Sequence, residues 1–211
     1  VYDFRKVFIT LNQFCAVDLS ALYVDISKDR MYCDALDSPR RRSAQTAMHR
    51  VLDSLCRLLA PILAFTADEA WEFAGHQDSI HEHDFPIPDP AFAGSTATQQ
   101  IAELQKLRDV LMLEVDKARK EKLIGSNLEA AAVITVPAGS PAEAVLQDRA
   151  SSTEFLIISD LTWRTGDTLS ATVSRTALQK CNRCWRHLPG IGTSTTHPLL
   201  CLRCADVLDK A

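Results

Sequence analysis

The sequence lacks any run approaching the roughly 20 apolar residues that a bilayer-spanning helix needs, which predicts no membrane association. It opens with no apolar signal segment, and its seven cysteines are an odd count that does not suit a complete disulfide framework. These two absences predict a protein of the reducing cytoplasm. The sequence also lacks a basic excess, because its formal charge is −4. Any nucleic-acid partner would therefore contact local basic patches rather than a uniformly positive surface.

The first 75 residues have the hydrophobic spacing of helices. Apolar side chains recur at steps of three and four in residues 4–15, in residues 19–31 and, most regularly, in the stretch that follows. Thr66 and Glu69 have the spacing of a capping box, which predicts a further short helix carrying Trp71. This part of the chain is therefore predicted to be an all-helical bundle.

The composition changes after Gly75, where His, Asp, Pro and Gly dominate and predict a linker as far as Ser95. A cluster of histidines and acidic residues in it, at 76–84, is interpreted as a solvated acidic loop. A long amphipathic helix is predicted next, with Gly125 as its C-terminal cap. Beyond it the pattern predicts a small α+β unit. Its strands are expected at residues 131–136, 155–163 and 169–174, and its short helix at residues 141–149.

Four of the cysteines lie in one short segment. Cys181 and Cys184 form one Cys-x-x-Cys pair and Cys201 and Cys204 form a second, with sixteen residues between the pairs, which is typical of a zinc site. Because four thiolates leave no open coordination position, the predicted Zn²⁺ is structural and supplies much of the folding free energy of its segment. A redox Cys-x-x-Cys pair or two disulfides are the alternatives. His187 and His197 are possible substitute ligands.

The predicted fold class is mainly α: a helical-bundle domain, followed by a small α+β unit and a four-cysteine zinc knuckle. The predicted boundaries are residues 1–95 for the helical domain with its linker, 96–178 for the long helix with the α+β unit, and 179–211 for the zinc knuckle.

Several segments resemble bacterial-type isoleucyl-tRNA synthetases. Residues 180–185 (KCNRCW) and 197–204 (HPLLCLRC) closely resemble the C-terminal zinc motif of that family. Three segments resemble the anticodon-binding helical domain of the family: residues 17–32, 41–47 and 58–71. Residues 122–130 resemble the junction that follows that domain. The resemblance extends over nearly the whole chain and keeps the expected order.

The resemblance implies that the intact protein joins isoleucine to its tRNA using ATP and Mg²⁺, while this part binds the anticodon stem-loop of tRNA(Ile). The His-Ile-Gly-His-like and Lys-Met-Ser-Lys-Ser signatures of the family have no counterpart here. No catalytic residue is therefore predicted, and the chain alone is expected to be inactive. It is expected to be monomeric and to pack on the catalytic domain of the intact protein.

Two groups of residues are predicted to contact RNA. Trp185 lies between Arg183 and Arg186, and this combination of a flat ring with guanidinium groups suits the unstacked bases of an RNA loop. A tryptophan packed over the zinc sulfurs is the alternative. The second group is a basic run at the start of a helix, with a solvated charged face as its alternative. It consists of Arg40, Arg41 and Arg42.

Two functions from other classes compete with tRNA binding. One is a DNA-repair glycosylase of the formamidopyrimidine type, whose terminal zinc finger has similar cysteine spacing, although a helical start does not suit it. The other is a zinc-stabilised protein-interaction module, in which Trp185 would fill a pocket of a partner protein. The salt dependence of binding distinguishes RNA binding from the interaction module, because RNA binding weakens steeply as salt is added whereas binding to a protein pocket would barely change.

Overall fold

The computed structural model describes residues 3–210, which form two compact units. The first unit extends to Pro90 and is helical, and the second begins at Ala91 and contains a small sheet, its helices and the four-cysteine segment. The predicted fold class, mainly α with a small α+β part and a zinc knuckle, is confirmed. The α+β part and the cysteine segment, for which a boundary at residue 179 is predicted, lie within the same compact unit.

The first unit opens with one continuous helix in place of the two predicted. It consists of α1 (Phe4–Gln13), a π-helical stretch (Phe14–Val24) and α2 (Asp25–Cys33). The two apolar runs are joined because neither glycine nor proline interrupts them. Asp3 caps the start, where its side chain accepts a hydrogen bond from the backbone N–H of Lys6 at 3.0 Å.

The joined helix overturns the expectation that no segment approaches the length of a membrane span. Residues 4–33 have a window of mean hydropathy 1.5, and among the described residues this is the one helix long and apolar enough to cross a bilayer. Length and composition alone are weak evidence for a span, because core helices of globular proteins meet the same criterion. None of that window is buried inside the structure.

Two further helices form the core of the first unit. Helix α3 (Pro39–Leu59) begins with its proline at the first helical position, where the missing N–H breaks no hydrogen bond. Helix α4 (Ala64–Phe73) begins before Thr66 and has no side-chain cap, so the predicted capping box is wrong. The residues buried between these helices and the segment after them are Cys56, Ala60, Ala67, Trp71 and Ile80.

The segment after α4 folds back onto Trp71. The indole Nε1 of Trp71 donates to Asp78 Oδ1 at 3.3 Å, and His83 Nε2 lies 2.9 Å from Asp78 Oδ2. The ring of His76 stacks on the indole with centroids 3.5 Å apart. The acidic residues of this segment, Asp78, Glu82 and Asp84, are exposed, as predicted for a solvated loop. The four residues in contact, Trp71, His76, Asp78 and His83, form a cluster that we call the Trp71 clasp. The clasp is built around an indole N–H that needs a partner once it is buried.

The second unit is built on a long helix and a three-stranded sheet. Helix α5 (Thr96–Lys120) is capped by the Ser95 hydroxyl and buries one apolar face, made up of Leu104, Leu107, Leu111, Val115 and Ala118. It ends before Gly125, and the left-handed residue after it is Lys122 with φ 59°, so the predicted glycine cap is wrong. Strand β1 (Ala130–Val136) lies between β2 (Asp160–Thr165), which is parallel to it, and β3 (Ser170–Arg175), which is antiparallel.

The crossover from β1 to β2 contains helices α6 (Pro141–Gln147) and α7 (Arg149–Leu156). Phe155 and Leu156 are predicted to lie in a strand, but they end α7 and are buried there. A short apolar run has the same appearance in a buried strand and in the last turn of a buried helix. The strand begins only at Asp160. After β3 the chain enters the cysteine segment, which ends with α8 (Leu202–Asp209).

Candidate metal centre and nucleic-acid interface

The structure brings the four predicted cysteines together. Their sulfurs all lie within 4.8 Å of one another, all four residues are buried, and no other metal-binding group was found among the described residues. Tetrahedral zinc with Zn–S bonds of about 2.3 Å requires sulfurs about 3.8 Å apart. The 3.9 Å between Cys184 Sγ and Cys201 Sγ meets that requirement. The centre therefore has the ligand type and spacing of one structural Zn²⁺ ion.

Hydrogen-bond donors surround the sulfurs. The backbone N–H of Cys201 donates to Cys181 Sγ at 3.3 Å, and Arg183 Nη1 donates to Cys204 Sγ at 3.7 Å. Donation from the Cys184 thiol, with help from Arg183, lowers the pKa of Cys204 to about 4. A metal ligand must be a thiolate, and Cys184 would lose its own proton on binding the ion. The Cys201 N–H and the Arg183 guanidinium are the donors that remain, and they favour the thiolate form that binds zinc. Arg183 reaches from the first cysteine pair to the second.

The two histidines of the segment have other partners. His187 Nδ1 lies 2.7 Å from the carbonyl oxygen of Leu178, so this nitrogen carries the proton and donates. His197 Nε2 lies 3.3 Å from Asp209 Oδ1. Neither histidine belongs to the four-sulfur cluster. The cysteines alone complete a tetrahedral shell, which leaves no position for substrate or water.

Trp185 is exposed directly beside a metal ligand. The residue retains 63% of its accessible surface, and its backbone is left-handed with φ 63°, an uncommon conformation for a bulky side chain. The turn is held by a hydrogen bond from Trp185 N–H to the carbonyl of Cys181 at 2.9 Å. Lys180 Nζ lies 5.6 Å from the centroid of the indole ring. One face of the ring therefore carries a cation, and the ring is not buried against the sulfurs.

The two arginines beside Trp185 both have partners within the chain. Arg183 donates to Cys204 Sγ, as described, and Arg186 Nη2 donates to the carbonyl oxygen of Ile158 at 3.4 Å. Arg186 Nε is buried. Both side chains therefore help to hold the metal segment together, and their contact with phosphate stays a prediction.

The predicted basic run in the first unit also has partners within the chain. Arg41 Nη1 donates to the carbonyl of Asp34 at 3.1 Å, and Arg40 Nη1 lies 3.6 Å from Asp34 Oδ2. Asp34 is only 6% exposed, and a buried carboxylate needs paired charge. Arg42 Nη1 lies 3.5 Å from Gln45 Oε1. The run stabilises the turn between α2 and α3, and its contact with RNA stays a prediction.

Sequence reasoning did not single out two residues that shape these sites, Asp34 and Ser159, and it gave Lys180 no role beyond its place in the zinc motif. A role for Lys180 could have been found, because it directly precedes the first metal ligand. Asp34 and Ser159 have no such signal, since their partners are brought near only by folding.

Comparison with known proteins agrees with both parts of the structure. Residues 1–134 match the family described as the anticodon-binding domain of tRNA ligase, and residues 179–207 match the family described as the zinc finger found in FPG and IleRS. The chain belongs to the family of tRNA-ligase anticodon-binding domains, as the resemblance in the sequence predicted.

The chain is similar to isoleucine–tRNA ligases from Syntrophotalea carbinolica (35% identical), Symbiobacterium thermophilum (39%) and Gluconobacter oxydans (39%). These matches cover 98%, 98% and 96% of this chain, and 24%, 24% and 21% of the respective relatives. The chain thus spans about a quarter of the length of these relatives.

Proposed function

We propose that the chain is the tRNA-binding part of an isoleucine–tRNA ligase and binds the anticodon stem-loop of tRNA(Ile). The observation that carries the proposal is the combination, in one chain, of an anticodon-binding family match and a closed four-cysteine centre with an exposed tryptophan. The intact protein would attach isoleucine to tRNA(Ile) in the cytoplasm with ATP and Mg²⁺. This chain would act as a monomer, pack on the catalytic domain and contribute no catalytic group.

The metal in this proposal has a structural role. Cys181, Cys184, Cys201 and Cys204 would hold one Zn²⁺, which supplies the cross-link that a segment poor in large buried side chains needs in order to fold. Residues around the metal position shape the remainder of the site. The turn between Cys181 and Trp185 sets the backbone of the tryptophan, and Arg183 connects the two halves of the centre through Cys204.

Trp185 is the proposed stacking surface for a base of the anticodon loop. Single-stranded bases bind to exposed aromatic rings, and the ring here is exposed and held on a short, metal-anchored turn. Lys180 occupies one face, so the ring offers the other face to one base. Arg183 and the basic run at 40–42 are proposed as weaker phosphate contacts, since each also bonds within the chain. The predicted phosphate contact of Arg186 would compete with its hydrogen bond to Ile158, and the salt dependence of binding decides between the two.

The glycosylase alternative has one point in its favour, because the matched zinc-finger family includes both kinds of protein. It does not explain the match of residues 1–134 to an anticodon-binding domain or the helical first unit. The interaction-module alternative likewise leaves that match unexplained. tRNA binding accounts for both parts of the chain.

Binding of a labelled tRNA(Ile) anticodon stem-loop, followed by fluorescence anisotropy, tests the proposal. The control RNA has the same stem closed by an unrelated tetraloop, so that backbone charge is nearly matched. We expect saturable binding of the anticodon stem-loop that weakens as KCl rises, and weaker binding of the control. Equal affinity for both RNAs, or no binding of either, would contradict the proposal.

A further inference from the structure

The loop after α7 is hydrogen-bonded to the metal segment. The backbone N–H of His187 donates to Ser159 Oγ at 2.8 Å, and Arg186 Nη2 donates to the carbonyl oxygen of Ile158 at 3.4 Å. Ile158 and Ser159 are buried, at 0% and 6% exposure. The two donors directly follow Trp185 in the chain. The position of the tryptophan is therefore tied to the sheet-bearing part of the second unit.

Both sides of this connection are themselves fixed. The loop leaves α7 through Ile157 in the left-handed conformation, φ 55°, and the N–H of Ile158 returns to the carbonyl of Thr153 at 3.1 Å. On the other side, the carbonyl of Arg186 accepts from the N–H of Cys181, a metal ligand, at 2.9 Å. A continuous path of hydrogen bonds therefore links helix α7 to the metal turn.

We propose that Ser159 and Arg186 form a latch that fixes the orientation of Trp185 relative to the sheet, so that Arg186 is a positioning residue. Its role as a base-positioning device rests on the proposed function, whereas the latch as a contact within the chain does not. The latch sets where the open face of the indole points. The cysteines that would hold the zinc ion, with the hydrogen bond from Trp185 N–H to the carbonyl of Cys181, set the shape of the turn.

The surroundings of Arg186 explain why it serves the latch better than it serves a phosphate. Its Nε is buried with no hydrogen-bond partner, and its Nη2 faces the carbonyl of a fully buried residue. Turning the guanidinium outwards to a phosphate would leave the carbonyl oxygen of Ile158 without this donor, and buried polar atoms left unpaired are costly. Trp185, in contrast, has its ring in solvent already.

Two variants break the latch from opposite sides, Ser159→Ala and Arg186→Met. Each has a matched control. Ser194→Ala removes another serine oxygen that accepts a backbone N–H, that of His197 at 3.0 Å, but within the metal segment itself. Arg164→Met removes one positive charge from an exposed position on β2. The controls therefore match the latch variants in chemistry and charge without touching the latch.

The first measurement uses no RNA. Residual dipolar couplings of backbone amides give the orientation of the metal segment relative to the sheet, and zinc analysis gives the metal content. We expect both latch variants to keep one zinc per chain. Their couplings in the metal segment should no longer agree with the parent orientation of that segment relative to the sheet, whereas the couplings of both controls should agree with it. Unchanged couplings in the latch variants would overturn the latch, whatever the RNA does.

The second measurement is stem-loop affinity across a KCl series. Each latch variant should bind about 2- to 12-fold more weakly, the factor that one hydrogen bond is typically worth. The double variant should lose less than the product, because the two hydrogen bonds hold the same turn. The slope of log affinity against log[KCl] should stay at the parent value for Ser159→Ala and for Arg186→Met.

A slope reduced by about 0.7 to 0.9 in Arg186→Met, with Ser159→Ala unchanged in affinity, would instead make Arg186 a phosphate contact. Trp185→Ala separates the two ideas: full affinity in that variant would refute the stacking proposal, while the dipolar couplings still decide the latch.

Discussion

Replacing Trp185 by alanine should weaken stem-loop binding without loss of zinc. Stacking of one base on an aromatic side chain contributes about 1 to 3 kcal/mol, which corresponds to a factor of roughly 5 to 150 in affinity. Only one such increment applies here, because Lys180 lies over one face of the indole and leaves the other for a base. Alanine is the suitable replacement, since it keeps a Cβ at this left-handed position and so leaves the backbone strain nearly unchanged.

The assay measures anticodon stem-loop affinity and zinc content on the same protein sample. Leu199→Ala is the matched control, because Leu199 is a similarly exposed large apolar residue of the same segment, at 62%, and has no aromatic face. We expect the control to bind as the parent does and both variants to keep one zinc per chain. Unchanged affinity in Trp185→Ala with zinc retained would refute the stacking role. Loss of zinc together with affinity would instead show that the ring stabilises the metal segment.

Other parts of the chain lead to three further predictions. Cys181→Ser should abolish stoichiometric zinc and unfold the metal segment while the first unit stays folded, which elemental analysis and backbone NMR would show; a fully folded, metal-free parent protein would contradict it. The chain should give only background isoleucine-dependent exchange of pyrophosphate into ATP, and clear activity would overturn the assignment of the chain as non-catalytic. Hydrogen bonds from the Trp71 indole and from His83 hold the pKa of Asp78 below its usual value, so this contribution to stability is present above the pKa of the unfolded carboxyl group and is lost as pH falls through the lower folded value. Thermal unfolding of the first unit should therefore become less acid-sensitive in Asp78→Asn than in the parent, and identical pH profiles would contradict the role of the clasp.

The metal centre and the fold class could be predicted from the sequence because local spacing determines them. Two residues between paired cysteines suffice to direct both sulfurs at one ion, and the four sulfurs do converge in the structure. The periodicity of α3 and of α5 likewise indicates helices without knowledge of the remaining fold. Where one face of a helix or strand is buried, the spacing of its apolar residues indicates which type of element it is.

Errors arose where tertiary partners decide the outcome. Phe155 and Leu156 have a strand-like composition, but they end a buried helix, and a short apolar run cannot distinguish the two. The partners of Arg183 and Arg186 within the chain, Cys204 Sγ and the carbonyl of Ile158, are likewise not predicted from the sequence, while contact of these arginines with phosphate stays a prediction. Partners so far apart in sequence cannot be predicted from spacing.

Nuclease protection of full-length tRNA(Ile) by the purified, zinc-loaded chain tests most directly whether this chain holds the anticodon end of that tRNA. We expect protection of nucleotides in the anticodon loop and the adjoining stem, with no protection of the acceptor end, and weaker protection with Trp185→Ala. Protection of the acceptor end alone, or the same pattern on an unrelated tRNA at equal concentration, would contradict anticodon-end binding.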